Sequence, residues 1–188
     1  GIFCSSTMGF TEPTTPERMQ QLTAMIERSP MNWFIAWIVR AASLLLSLGS
    51  STMDEAQWIG AILDRSHTKL LLDLHNLYAN ARNFGMDPFD MLAAMPLERV
   101  AAVHIAGGVQ VRAPSGGERL LDDHLHDPPE AVYALLARLA ECTPQPLTVV
   151  LERDGAYPPF VELLAQMQRA RAAIEAGRAA ARTAALKE

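Results

Sequence analysis

The chain has 188 residues, 49% of them hydrophobic, with a formal net charge of -5 and a pI near 5.5. Its length and apolar content support a buried core in one domain and exclude a chain that is disordered over most of its length. The acidic balance excludes a nucleic-acid surface, which needs a concentrated basic face, and leaves a small molecule, a peptide or another protein as the partner.

Residues 1–50 form a divergent N-terminal segment with one helix-like run, Pro16 to Arg28, broken at Ser29-Pro30. The apolar stretch from Trp33 to Leu48 is the one membrane candidate. It is shorter than the roughly 20 residues of a membrane-spanning helix, and Arg40 lies near its centre, so a buried or amphipathic helix is expected. Gly1 in place of Met fits a processed or truncated product, or an added first residue. Cys4 and Cys142 lie far apart without a CxxC spacing, so no disulfide framework is expected and a reducing cytoplasm is the simpler location.

From Ser51 the pattern becomes regular. Thr52 and Glu55 have capping-box spacing, and Trp58, Ile59, Ile62 and Leu63 recur at helical intervals, which predicts an amphipathic helix over 53–65. Lys69 to Asp73 is a continuous apolar run of the kind a strand buried on both faces requires. Asp87-Pro88 supplies an N-cap and an N1 proline for a helix to about Met95. Val100 to Ile105 is a second buried strand, and Gly107-Gly108 releases the chain into a loop to about Leu121. Asp127-Pro128 repeats the cap-and-proline signal ahead of Val132, Leu135, Leu136 and Leu139. Leu147 to Leu151 is a third strand, and Pro158-Pro159 opens a helix that continues into an Ala/Arg-rich tail, read as solvated. Strand alternating with helix is the pattern of successive βα units on a parallel sheet, so the fold class is α/β.

What ends each strand carries the chemistry. Asp73 closes the first, with His75 and Asn76 just beyond; His104 closes the second; Glu152 follows the third. Parallel α/β folds gather ligands and catalysts at the carboxyl ends of their strands. A further group lies in Asp122-Asp123-His124-Leu125-His126-Asp127. Imidazole with carboxylate suits non-haem iron, manganese or zinc, and no cysteine is near enough in sequence to suggest a thiolate site. Each residue also has an ordinary reading: His104 as a hydrogen-bonded core histidine, Asp73 as a cap, Asn76 as a turn residue, Glu152-Arg153 as a surface ion pair.

The same residues fall in stretches that resemble the DUF692 (UPF0276) family of multinuclear non-haem iron oxidases. LLLDLHNLYANARNFGMDP (70–88), PLERVAAVHIAGG (96–108), LLDDHLHDPPEAVYALL (120–136) and LTVVLERDGAYPPFVELL (147–164) follow its motifs in order, over roughly 49–170. The resemblance implies a TIM-type barrel holding two or three iron ions, and oxygen-dependent modification of cysteines in ribosomally made peptides. The metal ligands it implies are Asp73, His104, Asp122, His124 and Glu152, with His75, Asn76 and His126 as additional candidates. His75 stands where the family commonly has asparagine, and Gly108 where it often has histidine. A complete barrel takes about 250 residues, so a partial or shortened TIM-like (β/α) barrel with parallel strands is expected: residues 51–170 as βα units and 171–188 as a helical tail.

Three functions compete at this stage: an iron-dependent peptide oxidase, a non-catalytic metal-binding remnant, and a zinc- or manganese-dependent hydrolase or isomerase of the xylose-isomerase-like barrels. The resemblance also implies a second protein that recognises the substrate leader. A half-barrel's exposed edges would favour pairing, as in a homo-oligomer.

Overall fold

A computed structural model describes residues 54–112 and 116–187 of the chain. The run at 16–28, the apolar stretch at 33–48, Cys4 and Thr52 lie outside them. Among the described residues no helix is long and apolar enough to cross a membrane.

The first helix, α1 (Glu55–Ser66), begins at 55 rather than 53 because its capping box is made by Asp54 and Gln57. Asp54 accepts from the Gln57 amide at 2.8 Å, and the Gln57 side chain accepts from the Asp54 amide at 3.1 Å. Trp58, Ile59, Ile62 and Leu63 are buried, as their spacing predicts. Next comes β1 (Leu70–Asp73), with Leu70 and Leu72 fully covered.

Where the sequence reads as a turn around Asn76, the structure has a helix, α2 (Leu74–Phe84). Asp73 caps it by accepting from the Asn76 amide at 2.9 Å, and left-handed Gly85 (φ 68°) ends it. Asparagine is a weak helix former, and three of the eleven residues are asparagine, which hid the apolar stripe of Leu74, Leu77 and Ala81. α3 (Pro88–Ala94) forms as predicted, with Asp87 accepting from the amides of Phe89 and Asp90 and Pro88 in the first turn. A single 3₁₀ turn (Leu97–Arg99) leads into β2 (Val100–Ile105).

The predicted loop at 107–121 contains an antiparallel hairpin, β3 (Val109–Arg112) and β4 (Glu118–Leu121). Asn83 of α2 ties it down, donating to the Leu120 carbonyl at 2.9 Å and accepting from the Leu120 amide at 2.8 Å. The next helix, α4 (Glu130–Cys142), starts three residues beyond its predicted Asp127 cap, and Pro129 precedes it without a side-chain cap. Two consecutive prolines explain the delay, since a residue before proline is held out of helical backbone. β5 (Thr148–Leu151) and α5 (Phe160–Ala185) complete the chain.

β1, β2 and β5 form one parallel sheet in the order β1-β2-β5. One apolar core joins α1, β1, α2, β2 and α4 through residues such as Ile62, Leu72, Leu77, Ile105 and Leu136. The tail helix is mostly solvated, as its composition predicts, but Ala170 and Gly177 are buried. Beyond β5, Phe160 and Val161 are 73% and 70% exposed and present an apolar surface.

Glu55 is buried at the start of α1, beside a cavity of about 660 Å³ also lined by Phe84, Met86, Met91 and Met95. Burial, aided by the charge of Asp54, pushes its carboxyl up from 4.5 to about 7. An acid whose pKa is higher in the folded state favours folding most below its unfolded pKa. Stability is therefore expected to fall as pH rises from 4.5 to about 7, by up to about 3 kcal/mol. Urea unfolding across this range checks it, with Glu55→Gln expected to flatten the profile. Gly177→Ala is expected to destabilise by about 1–3 kcal/mol, the cost of overpacking, although alanine is the better helix former. The added Cβ would overlap the Ala137 carbonyl oxygen of α4, and a lower urea midpoint with unchanged slope is the expected reading.

Candidate metal centre

Parallel register sets the site. Asp73 pairs with His104 and Ile105 with Leu151, while the Glu152 amide donates to the Ile105 carbonyl at 2.9 Å. The carboxyl ends of three strands are therefore level, and Asp73, His104 and Glu152 leave the sheet at one rim.

His124 is brought to the same rim by backbone bonds. Its amide donates to the Gly107 carbonyl at 3.1 Å, and its carbonyl accepts from the Asp154 amide at 3.0 Å. The residue has φ 56°, in the left-handed region that non-glycine residues seldom occupy and that persists where surrounding structure holds it. Glycine is required at 107, where a Cβ would overlap the carbonyl oxygens of His126 and Asp127. Glycine is required at 108 as well, because the His75 ring and the Leu121 carbonyl occupy the space a side chain would need.

Donor atoms from Asp73, His124 and Glu152 lie within 4.8 Å of one another, close enough to share one ion. His124 Nε2 is 3.6 Å from Asp73 Oδ2 and 3.0 Å from Asp122 Oδ1, while Nδ1 is 3.5 Å from Glu152 Oε1. His104 Nδ1 lies 2.6 Å from Glu152 Oε2. Asp122 is held by His75 Nδ1 at 2.7 Å and by the Asn76 side-chain amide at 2.9 Å, and Asn80 donates to Asn76 Oδ1 at 3.0 Å. His75 and Asn76 thus touch the cluster through Asp122. His126 stands apart, half-exposed, with its Nδ1 3.0 Å from Asp123 Oδ1.

Two participants escaped the sequence reading. Asp154 reaches His124 Nδ1 at 3.5 Å, and Asn80 braces Asn76 from one helical turn away, a relation visible only once α2 is a helix. Arg153 does not pair with its neighbour Glu152. Its Nη2 donates to Asp127 at 2.6 Å.

The carboxylates of Asp122, Asp73 and Glu152 push the His124 imidazole up to about 12, outweighing burial. Burial pushes the Asp122 carboxyl up, but hydrogen bonding with His124, His75 and Asn76 prevails and holds it well below the ordinary carboxylate range. Contacts from His104 and then His124 lower Glu152 to about 2. Several carboxylates thus surround one protonated imidazole, an environment that favours positive charge. His124 Nε2 is buried and faces Asp122 Oδ1 at 3.0 Å and Asp73 Oδ2 at 3.6 Å, with no neutral acceptor bonded to it. Carboxylate oxygens converging on a buried imidazole nitrogen, with no sulfur in the cluster among the described residues, fit a hard or borderline cation such as iron, manganese or zinc. Among the described residues the one cysteine, Cys142, is exposed at the C-terminal end of α4.

Comparison with known proteins adds a match over residues 9–175 to the family described as RiPP precursor modification enzyme MbnB/TglH/ChrH. The chain belongs to this family. A UPF0276 protein of Caulobacter vibrioides is 34% identical over 166 residues, covering 88% of this chain and 57% of that relative. A UPF0276 protein of Bordetella bronchiseptica is 38% identical over 132 residues, covering 70% of this chain and 45% of the relative. The chain thus spans about half the length of the curated relatives it matches. The family match runs further toward the N-terminus than residue 49, where the resemblance read from the sequence begins.

Replacing Asp122 by asparagine removes the carboxylate nearest His124 Nε2. In the metal-free protein, Asp122→Asn is expected to lower the His124 pKa by about one unit or more. An NMR titration of the imidazole checks this, and an unmoved pKa would show that the other carboxylates alone set the charge.

Proposed function

We propose that the chain binds iron through Asp73, His124 and Glu152, with Asp122 and His104 as neighbouring ligands, and that this site serves an oxidase acting on a cysteine-containing peptide. The reading sets the three parallel strands within a TIM-like (β/α) barrel. The observation that carries it is the convergence of an aspartate, a histidine and a glutamate from separate segments to within 4.8 Å at one rim of a parallel sheet. The family description, RiPP precursor modification enzyme, supports the peptide as substrate class.

Bound iron would supply oxygen-dependent redox chemistry. The chain's own residues orient the donors. His104 Nδ1 engages one oxygen of Glu152, leaving the other toward His124. His75 and Asn76 fix both oxygens of Asp122, the kind of outer bracing that keeps a ligand in one orientation. His124 would enter coordination as neutral imidazole and so give up the proton that the carboxylates otherwise stabilise. Recognition of the substrate leader by a second protein, and self-association through exposed apolar faces, belong to the same reading.

A second reading is a metal-binding module without oxidase activity, favoured by Gly108, a tightly packed position without a donor where the family often has histidine. Elemental analysis and oxygen uptake on anaerobically purified protein separate the two. The oxidase reading expects stoichiometric iron and oxygen consumption that depends on a cysteine-containing peptide. Iron without oxygen uptake supports the module, and zinc or manganese in its place supports a hydrolase or isomerase. Asp73→Asn and Glu152→Gln are each expected to weaken iron binding beyond the roughly 10–100-fold lost when an outer partner is removed. Iron content unchanged in both variants would overturn the assignment.

A further inference from the structure

Arg153 follows Glu152 directly, yet it serves neither as that residue's ion-pair partner nor as a solvated surface cation. Its side chain is only 8% exposed, and Nη2 donates to Asp127 Oδ1 at 2.6 Å. Nε and Nη1 are buried with no hydrogen-bond partner. Burying a guanidinium is unfavourable unless it is paired, and the pairing that Arg153 makes is with the Asp127 carboxylate.

What it holds is the segment that carries two of the cluster's side chains. Asp127 ends the run from Asp122 to Asp127, which is wedged between two surfaces. On one side, the backbone of His126 and Asp127 lies so close to Gly107 that no Cβ fits there. On the other, the Asp154 amide donates to the His124 carbonyl, and a Cβ on Gly155 would sit 3.1 Å from the Leu125 side chain. Within this wedge His124 keeps its left-handed backbone (φ 56°), which a free loop would release. The predicted role of Asp127 as a helix cap is vacated, leaving its carboxylate for Arg153.

We propose that Arg153 is a positioning residue: by gripping Asp127 it locks the 122–127 segment against the end of β5, so that His124 sits between Asp73 and Glu152. The locking stands on the geometry alone, and its consequence for metal binding rests on the function proposed above. The same element delivers Glu152 to the cluster and, one residue later, clamps the loop that delivers His124 and Asp122.

The test compares Arg153→Met, Arg153→Lys, Asp127→Asn and the Arg153→Met/Asp127→Asn pair with wild type. Amide hydrogen exchange is measured on the metal-free protein, and Co²⁺ affinity on the same samples. Arg153→Met is expected to speed exchange at the amides of His124 and Asp154 by about tenfold or more while leaving Leu136 in α4 unchanged. It is expected to weaken Co²⁺ binding by about tenfold, the scale of lost outer bracing. Arg153→Lys should recover part of both effects, and adding Asp127→Asn to Arg153→Met should change neither further. Unchanged exchange at His124 and Asp154 in Arg153→Met overturns the proposal. So does faster exchange in step with Leu136, which would mark general destabilisation. If Arg153→Met does not fold, Arg153→Lys and Asp127→Asn decide by the same local exchange. Wild type that binds no Co²⁺ overturns the metal reading alone, and the exchange comparison still decides Arg153.

Discussion

The alignment of three parallel strands is the constraint on which the site rests. Parallel pairing makes register unforgiving, because a shift of one residue turns every side chain to the opposite face. Asp73 beside His104, and the Glu152 amide on the Ile105 carbonyl, are consequences of the register that β1 from Leu71 onward, β2 and β5 share. The apolar residues behind those ends enforce it: Leu70, Leu72, Val103 and Ile105 are fully buried, so slippage would carry them out of the core. Packing energy spent on the interior thereby fixes the spacing of polar groups at the rim.

Charge is the second organising principle. Asp73, Asp122 and Glu152 would repel one another in a partly buried space if nothing cationic lay between them. In the metal-free protein the His124 imidazolium fills that role, which accounts for a pKa of about 12 beside the Asp122 and Glu152 carboxyls held low. The outer residues divide the bracing. His75 and Asn76 hold Asp122, Asn80 holds Asn76, and His104 holds Glu152. Each brace comes from an element already packed into the core.

The fold around the site is open on its β5 side. Val150, Phe160 and Val161 expose apolar surface, and β1 and β5 are the edges of the described sheet.

Much of this was legible in the residues. Continuous apolar runs marked β1 and β2, helical periodicity marked α1 and α4, and Asp87-Pro88 marked the start of α3, because local sterics and burial of one face act within a few residues. The position of Asp73, His104 and Glu152 at strand ends followed from the same patterns. The asparagine-rich α2 and the β3–β4 hairpin did not, since weak local propensity there is overridden by contacts such as Asn83 with Leu120, 37 residues away. Asp127 had the sequence of a cap and became the partner of Arg153 instead. Side-chain chemistry and strand ends were thus determined by the sequence alone. Which groups meet, with His124 inside the cluster and His126 outside it, was decided only by tertiary structure, because distances between separate segments depend on register and on a loop whose backbone is set by its neighbours.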